Sequence, residues 1–352
     1  MSYFDDAIQL LSQLIATPSI SREEGAAADV LTTYLQAKKL SFRRVGNNLL
    51  CIPANFDEQK PSLLLNAHID TVKPVAGWTR DPFAPTIEGD CLYGLGSNDC
   101  GGGLMALLMA YQQLIVKEQS YNLLYLASCE EEISGKNGLE LMQPELEKLN
   151  VQLALVGEPT GMQPAIAEKG LMVIDGTAQG KSGHAARDEG VNAIYEALPD
   201  LAWFRNHCFS KTSPLLGEVK MTVTQINAGT QHNVVPDTCT FVVDVRSNEL
   251  YTNEELFAEI QAAVKSKLKA RSFRLSSSHI VPTHPLVLRA IELGRMPFGS
   301  PTLSDQALMR FPSLKMGPGR SERSHTANEY ILLSEIKEGI EMYVSLLNGL
   351  KL

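Results

Sequence analysis

The stretch Leu63-Leu64-Leu65-Asn66-Ala67-His68-Ile69-Asp70 is an apolar run that ends in polar side chains. The pattern returns where residues 123–127 run into Glu130-Glu131-Glu132, and where residues 153–156 run into Gly157-Glu158-Pro159-Thr160. Unbroken apolar runs of this length indicate strands that are buried on both faces. These three runs therefore predict the central strands of one sheet.

The segments beside these strands have helical patterns. Residues 104–116 form such a segment between the first two runs, which predicts an α/β domain with a largely parallel sheet. In such sheets, ligands bind beyond the carboxyl ends of the strands. All three polar clusters fall at these ends, so we expect them to form a ligand site.

Three more helices are expected nearer the chain ends. Residues 4–15 carry an apolar side chain at every third or fourth position, which indicates one amphipathic helix. The capping box Ser21-x-x-Glu24 predicts the start of a second helix. Ser334 is expected to cap a final helix over residues 336–347.

The pattern of polar and apolar residues changes in the middle of the chain, beginning near Glu168. From residue 171 to 246 the predicted strands alternate polar and apolar side chains, as in residues 219–224. One helical pattern covers residues 191–204, and another begins at the capping box Thr252-x-x-Glu255 and carries apolar positions as far as Leu268. Half-exposed strands with helices on one side indicate an α+β domain. We therefore predict a catalytic domain of residues 1–168 and 276–352, with residues 169–275 inserted as a smaller domain.

Composition excludes some classes of function. The chain has 352 residues and a formal net charge of -9, which argues against a nucleic-acid-binding surface. Neither a signal peptide nor an apolar run of about 18 residues is found, so no membrane span is expected. Six scattered cysteines without a CxxC pair predict reduced thiols and a cytoplasmic protein.

Each candidate site residue has a simpler structural explanation when it is taken alone. A single histidine at a strand end, such as His68, is more often hydrogen-bonded than a metal ligand. Asp99 follows a glycine-rich turn and could cap a helix, and the acidic triplet 130–132 could be a solvated turn. Glu158 could be an ordinary loop residue, and His325 could lie on the surface. The glycine-rich stretch of residues 94–103 matches neither the GxGxxG pattern nor the P-loop pattern of phosphate-binding proteins.

Taken together, these residues favour a two-metal hydrolytic site. Buried beside one another, Asp99, Glu132 and Glu158 would repel unless cations neutralised them. Imidazole ligands favour zinc or cobalt over calcium or magnesium. Glu131, directly beside Glu132, is well placed to move a proton from the attacking water.

An ordered set of motifs makes the chain resemble a known family over essentially its whole length. It is similar to the dinuclear zinc amidohydrolases, which include acetylornithine deacetylase, succinyl-diaminopimelate desuccinylase, aminoacylases and carboxypeptidases of the same fold. The motifs are His68-Ile-Asp70, Gly96-Ser-Asn-Asp99, Glu130-Glu-Glu132, Gly157-Glu-Pro-Thr160, Gly183-His-Ala-Ala186, Asn233-Val-Val-Pro236, Asp244-Val-Arg246 and Ser324-His325. Residues 316–330 look most like the acetylornithine and acetyllysine deacetylase branch.

The resemblance implies a role for each motif around two divalent ions, with zinc expected and cobalt possible. Asp99 would bridge the ions, His68 and Glu158 would complete one site, and Glu132 and His325 would complete the other. Asp70 would orient the imidazole of His68. Glu131 would act as general base and then general acid toward a metal-bound hydroxide.

The resemblance also implies roles for the inserted domain. This domain would be ferredoxin-like, would form a homodimer and would act as a lid. Its His184 would reach across the dimer to the reacting carbonyl, while Asn233 and Arg246 would hold the polar and carboxylate ends of the substrate. Relatives have a cis peptide after the bridging aspartate, here Asp99–Cys100.

Two positions depart from the family pattern. Glu130 stands where many relatives have Asp, which we expect to change little. Ser134 stands where Gly is frequent, which affects the turn beside the site. No proposed ligand is missing.

These observations predict hydrolysis of the amide bond of a small N-acyl amino acid, with N-acetylornithine-type deacetylation in arginine biosynthesis as the leading candidate. The alternatives with the same chemistry are an N-succinyl amino acid desuccinylase, an aminoacylase or a dipeptidase. A catalytically dead dimeric binding protein is the alternative from another class. Such a protein is expected to have lost a ligand or the base, and this chain has not.

Overall fold

The computed structural model describes residues 2–187 and 189–352, and it divides the chain into two units. The first unit contains Met1–Ile166, Ile280–Phe298 and Ser304–Leu352. The second unit contains Ala167–His279 and Gly299–Leu303.

The regular elements follow in chain order. The helices of the described residues are α1 (Tyr3–Ile15), α2 (Gly25–Ala37), α3 (Gly102–Leu114), α4 (Leu139–Lys148), α5 (Ala193–Asn206), α6 (Asn253–Ala263), α7 (Pro285–Glu292) and α8 (Leu333–Leu347). The strands are β1 (Phe42–Val45), β2 (Asn48–Cys51), β3 (Ser62–His68), β4 (Thr86–Glu88), β5 (Cys91–Tyr93), β6 (Asn122–Ser128), β7 (Val151–Val156), β8 (Ala165–Glu168), β9 (Met172–Gln179), β10 (Gly183–His184), β11 (Lys220–Ala228), β12 (Val234–Val235), β13 (Thr238–Arg246), β14 (Lys267–Ala270), β15 (Ser278–His279), β16 (Phe298–Ser300), β17 (Ser313–Lys315) and β18 (Tyr330–Leu332).

The first unit is built on a mixed sheet with the strand order β1-β2-β6-β3-β7-β17. The pairs β6–β3, β3–β7 and β7–β17 are parallel, while β1–β2 and β2–β6 are antiparallel. Every residue of β3 and β6 is buried, as the unbroken apolar runs predict. The α/β prediction with a largely parallel sheet is confirmed.

Helices lie on both faces of this sheet. On one face, α3 packs against the sheet, α1 and α8, and nearly all its residues are buried. Such an apolar helix needs neighbours on all sides. On the other face, Leu139, Met142 and Leu146 of α4 pack against Leu64 and Leu124. This layering leaves the carboxyl ends of the parallel strands free to hold polar side chains.

The second unit is a ferredoxin-like α+β fold. Its four-stranded sheet has the order β11-β13-β9-β14, and all neighbouring strands are antiparallel. Helices α5 and α6 supply Phe204, Leu256 and Ile260 to one core with Ile174 and Phe241 of the sheet. The predicted smaller α+β insert is therefore confirmed as a fold class.

Three predicted helix starts or ends are wrong. No side chain caps α2, because the Ser21 hydroxyl donates to Asp70 instead. Helix α6 begins at the predicted Thr252 cap but ends at Ala263, and the segment carrying Leu268 is strand β14. Ser334 lies inside α8, where its hydroxyl donates to Asp90. In the described part of the chain, no helix combines the length and apolar character that crossing a membrane requires.

Candidate metal centre

Five polar segments of the first unit meet at the carboxyl edge of its sheet. His68 ends β3, while Glu131 and Glu132 lie in the turn after β6. Glu158 follows β7, Asp99 lies in the turn before α3, and His325 precedes β18. Parallel strands bring these chain-distant residues to one edge, which is where the sequence places a ligand site.

Asp99 lies between two imidazole rings. Its Oδ1 is 3.3 Å from Nε2 of His68, and its Oδ2 is 3.5 Å from Nε2 of His325. Each ring also faces a second carboxylate. Glu158 Oε1 is 3.5 Å from His68 Nε2, and Glu132 Oε2 is 2.9 Å from His325 Nε2. The two oxygens of Asp99 therefore belong to two separate imidazole–carboxylate pairs.

These separations fit metal coordination. Two ligand atoms at about 2.0–2.1 Å from a tetrahedral zinc ion lie roughly 3.4 Å apart. Three of the four separations around Asp99 are 3.3–3.5 Å. Nitrogen and carboxylate oxygen donors are also the types that zinc accepts. The donor set fits two divalent ions.

The titration of this cluster indicates an excess of negative charge. Burial above all, together with the neighbouring carboxylates, raises the pKa of Glu158 to about 8 against the opposing effect of His68. The hydrogen bond to Glu132 raises the pKa of His325 to about 9. In the metal-free chain, both groups therefore keep a proton at neutral pH.

We predict that metal binding releases protons. Ligands must lose their protons to coordinate, so apparent affinity is expected to rise as pH increases from 6 toward 9, by about tenfold per pH unit for each proton released. Above pH 9 the rise is expected to level off. Calorimetry in two buffers with different ionisation enthalpies measures the protons released, and a pH-independent affinity between 6 and 8 would contradict the prediction.

Asp70 holds the turn that carries the acidic pair. Its carboxylate accepts the backbone N–H groups of Glu131 at 3.0 Å and Glu132 at 3.2 Å, and also the Ser21 hydroxyl at 2.7 Å. The nearest partner of His68 Nδ1 is the backbone carbonyl of Asp70 at 2.9 Å, while the carboxylate is 3.5 Å away. Asp70 thus contacts both the His68 ring and the turn that carries Glu131 and Glu132.

The same turn begins and ends in left-handed backbone. Glu130 has φ 55° and Ser134 has φ 45°, a region that favours glycine and tolerates aspartate and asparagine. The Glu130 carboxylate accepts both the side-chain and backbone N–H groups of Asn137. Glu130 and Ser134, the two departures from the family pattern, therefore stand at the strained positions of this turn. The hydrogen bonds from Asn137 to Glu130 offset the backbone strain at Glu130.

Glu131 points into the same cluster without joining either pair. Its Oε2 is 3.9 Å from His68 Nε2, and its side chain is almost fully buried. Burial raises the pKa of Glu131 well above its usual value, and Glu158 and other carboxylates add to the shift. A carboxyl group whose pKa is raised in this way suits acid–base catalysis.

Sequence reasoning missed Cys100 as a member of the cluster. One set of candidate ligand atoms within 4.8 Å of one another combines Cys100 with His68 and Glu158, and a second combines His68, Asp99 and Glu132. Burial raises the pKa of the Cys100 thiol, and its sulfur accepts the backbone N–H of His68 at 3.2 Å. The Asp99–Cys100 peptide is cis, as expected. The thiol supports the strand end rather than offering a thiolate.

Two other buried carboxylates near the site were also missed. Asp305 accepts the Ser128 hydroxyl at 2.6 Å, and burial raises its pKa to about 6. Glu329 accepts three backbone N–H groups of the loop that carries Asp99, although burial raises its pKa to about 7. Neither carboxylate follows an apolar run of the kind that marks His68, Glu132 and Glu158 in the sequence.

The remaining predicted site residues lie in the second unit. His184 in β10 pairs with Val234 in β12, and the backbone carbonyl of Asn233 accepts the N–H of Ala185. These contacts bring the His184 and Asn233 segments together. Arg246 is the last residue of β13, and its guanidinium makes two hydrogen bonds to Asp244, of 2.8 and 3.2 Å.

An α/β domain with this cluster at its sheet edge, together with a ferredoxin-like insert, defines a metal-binding hydrolase. The model of peptidase family M20/M25/M40 matches residues 64–349, so the chain belongs to that family. Relatives at 29% identity include the acetylornithine deacetylases of Pectobacterium atrosepticum, matched over 95% of both chains, and of Proteus mirabilis, matched over 97% of this chain and 96% of that relative.

Solved structures share the fold. The aminopeptidase PepT of Bacillus cereus superposes with a TM-score of 0.80 at 18% identity and covers 98% of both chains. A dinuclear metal-binding peptidase of the M20 family from Bacillus subtilis superposes with a TM-score of 0.73 at 16% identity, over 98% of this chain and 97% of that one. The chain is thus an amide-cleaving metallohydrolase of this family.

Proposed function

We propose that the chain hydrolyses the amide bond of a small N-acyl amino acid, with N-acetylornithine-type deacetylation in arginine biosynthesis as its reaction. The position of Asp99 supports this type of reaction, because its two carboxylate oxygens face separate imidazole–carboxylate pairs. The full-length similarity to acetylornithine deacetylases supports the substrate class. An N-succinyl amino acid, another acyl amino acid or a dipeptide remains the alternative substrate.

We propose zinc as the metal, with cobalt as a substitute, at two sites that share Asp99. His68 and Glu158 would complete the first site, and His325 and Glu132 the second. Bound divalent ions supply Lewis acidity, which polarises a carbonyl and makes water reactive at neutral pH. The mixed nitrogen and oxygen donors support zinc over magnesium or calcium.

In this proposal, Glu131 transfers a proton from the attacking water to the leaving group. Its carboxylate takes a proton from the attacking water and delivers it to the nitrogen of the leaving amine. Asp70 contributes by holding the backbone of Glu131 and Glu132, which fixes the direction of both side chains. The Ser21 hydroxyl completes the set of donors to Asp70.

We propose that residues 1–168 and 276–352 are the catalytic domain and that residues 169–275 form the homodimer and the lid. The second unit has apolar surface for a partner, since Tyr195 and Leu198 on α5 are 68% and 51% exposed. Ile226 on the edge strand β11 is 51% exposed. Uncovered edge strands and apolar patches are typical of interfaces.

A cytoplasmic location is part of the proposal. All six cysteines have free thiols in the structure. Cysteines that stay unpaired suit a reducing compartment.

A substrate panel tests the proposed function. The metal-loaded protein is offered N-acetyl, N-succinyl and longer N-acyl derivatives of ornithine, citrulline, lysine and neutral amino acids, together with dipeptides, and the release of free α-amine is measured. We expect N-acetylornithine to give the highest kcat/KM. Preference for a succinyl derivative or a dipeptide would select one of the alternatives, and failure with every amide would support the binding protein.

The role of His184 gives a prediction about the dimer. We expect its imidazole to polarise the carbonyl in the partner's site, so His184→Ala should lower kcat by about 10²–10³-fold. Mixing inactive His184→Ala chains with inactive Glu131→Ala chains, under conditions that exchange subunits, is expected to restore activity in heterodimers. His207→Ala, in the same unit but paired with Glu259, is the control and should keep its activity.

Verified exchange without any return of activity would rule out the action of His184 across the dimer. Loss of activity in His207→Ala would show that histidine substitutions in this unit act through folding.

The role of Arg246 gives a prediction about the substrate. A guanidinium holds a carboxylate by two parallel hydrogen bonds, so N-acyl amino acids are expected to be hydrolysed while their α-amides are nearly inert. Arg246→Lys should lower both kcat and 1/KM, because an ammonium cannot reproduce the two bonds. Arg271→Lys is the matched control, since Arg271 also holds an aspartate, Asp175, through two nitrogens.

Kinetics of each acid and its amide on the wild type and both variants provide the measurement. Comparable kcat/KM for acid and amide on the wild type would contradict the assignment.

A further inference from the structure

The loop that carries Asp99 is anchored by one residue outside the proposed ligand set. Glu329 precedes β18 and is only 2% exposed. Its Oε1 accepts the backbone N–H groups of Asn98 at 2.8 Å and Asp99 at 2.9 Å, and its Oε2 accepts that of Gly96 at 3.2 Å. Its own backbone carbonyl accepts the N–H of Gly94 at 3.0 Å. Four hydrogen bonds thus join Glu329 to this loop.

Three N–H groups that converge on one carboxylate form an anion-binding concavity. Gly96 permits this turn because it has φ 75°, and a Cβ there would come within 2.6 Å of Thr71. Hydrogen bonds to an ionised acceptor are stronger than neutral ones, and a buried carboxylate without such donors is costly. The backbone of Asp99 is therefore held at its own N–H by a buried carboxyl group.

A second link joins this loop to the segment that carries His325. The Asn98 amide donates to the carbonyl of Arg320 at 3.0 Å and to Ser324 Oγ at 3.3 Å, and it accepts the N–H of Arg320 at 2.9 Å. Ser324 directly precedes His325 in the chain. Glu329 follows His325 by four residues, so the two links enclose the histidine.

We propose that Glu329 is a positioning residue that holds the Asp99 carboxylate between the two imidazoles and so sets the affinity of the chain for its metal ions. The inference rests on the proposed function, because it takes Asp99 as a metal ligand. Partners that orient a ligand typically contribute about 10–100-fold to metal affinity. The short carboxylate of Asp99 has few rotatable bonds with which to compensate for a shift of its backbone.

A purely structural role would have a different signature. Loss of Glu329 would then lower the temperature of unfolding of the metal-free chain but leave its affinity for metal unchanged well below that temperature. Metal affinity and thermal unfolding are therefore measured on the same preparations.

Glu329→Gln is the test variant, because it keeps the size of the side chain but removes the charge. Zn²⁺ is titrated into the metal-free chain in competition with a chromophoric chelator. We expect the Kd for Zn²⁺ to rise by about 10–100-fold. If the Gln variant is not recovered folded, Glu329→Asp, which keeps the charge but is too short to reach all three N–H groups, is expected to change Kd in the same direction.

Asp200→Asn is the matched control. Asp200 is a buried carboxylate that accepts the N–H groups of Lys265 and Ser266 and the Ser266 hydroxyl, in a turn that carries no proposed ligand. Its replacement is expected to lower the unfolding temperature and to leave the Kd for Zn²⁺ within about twofold of the wild type.

The outcomes separate the two levels of inference. A wild type that fails to bind two Zn²⁺ ions overturns the proposed function. A wild type that binds two ions, with a Glu329 variant of equal affinity, overturns the positioning role alone. Equal weakening in Asp200→Asn would also overturn it, because the effect would then be common to any buried carboxylate.

Discussion

Removal of metal from the purified chain is expected to lower kcat/KM by at least about 10³-fold. Lewis-acid stabilisation by a bound ion is worth several kcal/mol, and each 1.36 kcal/mol is tenfold in rate. The loss should be reversible, since the sheet that carries the proposed ligands at its edge is part of a buried core.

Dialysis against a chelator, followed by metal analysis and rate measurement, provides the test. Zinc or cobalt is expected to restore activity, whereas magnesium and calcium are not, because two of the five proposed ligands are imidazoles. Full activity in a preparation with less than about a tenth of an ion per chain would eliminate the two-metal mechanism.

Most of the fold could be predicted because burial leaves a direct mark on the sequence. β3 and β6 are buried on both faces, so they appear as unbroken apolar runs. The alternation in the second unit is visible in β9 and β13, where buried and partly exposed residues alternate. The spacing of apolar side chains along a strand is thus enough to distinguish the buried, largely parallel sheet of the first unit from the half-exposed antiparallel sheet of the second.

The errors in the fold arise where a polar side chain has two possible partners. Ser21 has the spacing of a helix cap, but the buried carboxylate of Asp70 takes its hydroxyl. The helical pattern beyond Ala263 fails because Asp200, distant in sequence, accepts the N–H groups of Lys265 and Ser266 and turns the chain into β14. A local sequence pattern does not reveal a residue, distant in the chain, that competes for the same hydrogen-bonding group.

The sequence predicts which residues gather at the sheet edge, but it does not predict the residues that hold them in place. His68, Glu132 and Glu158 end or follow apolar runs, so topology brings them together. Cys100, which contacts His68, and Glu329, which holds the loop of Asp99, have no such marker. The sulfur of Cys100 accepts the backbone N–H of His68, and Glu329 is brought to the loop by the pairing of β18 with β5.

The adjacent residues Glu131 and Glu132 are expected to behave in opposite ways when they are replaced. Glu131→Gln should lower kcat by about 10²–10⁴-fold, which is the usual contribution of a positioned general base. Its metal content should match the wild type, because Glu131 belongs to neither imidazole–carboxylate pair. Glu132→Gln should lose metal from one site, because Glu132 Oε2 is 2.9 Å from His325 Nε2.

The local geometry explains how neighbours can differ so much. Both backbone N–H groups are held by the Asp70 carboxylate, so the turn presents the two side chains in fixed, different directions. Glu131 Oε2 comes no closer than 3.9 Å to His68 Nε2, whereas Glu132 directly contacts His325. Metal analysis and kcat, measured on the same preparations of both variants, separate a proton carrier from a ligand.

Reversed behaviour would mean that the acidic triplet is assigned one residue out of register. A Glu131→Gln chain that keeps its metal and more than about a tenth of the wild-type kcat would move proton transfer to another group. Asp305 would then be the group to test, because it is a buried carboxylate that raises the pKa of Glu131 and lies outside the proposed ligand set. The expected result is a fully metal-loaded, folded Glu131→Gln protein that binds substrate and turns it over very slowly, which is the behaviour of a site that lacks only its base.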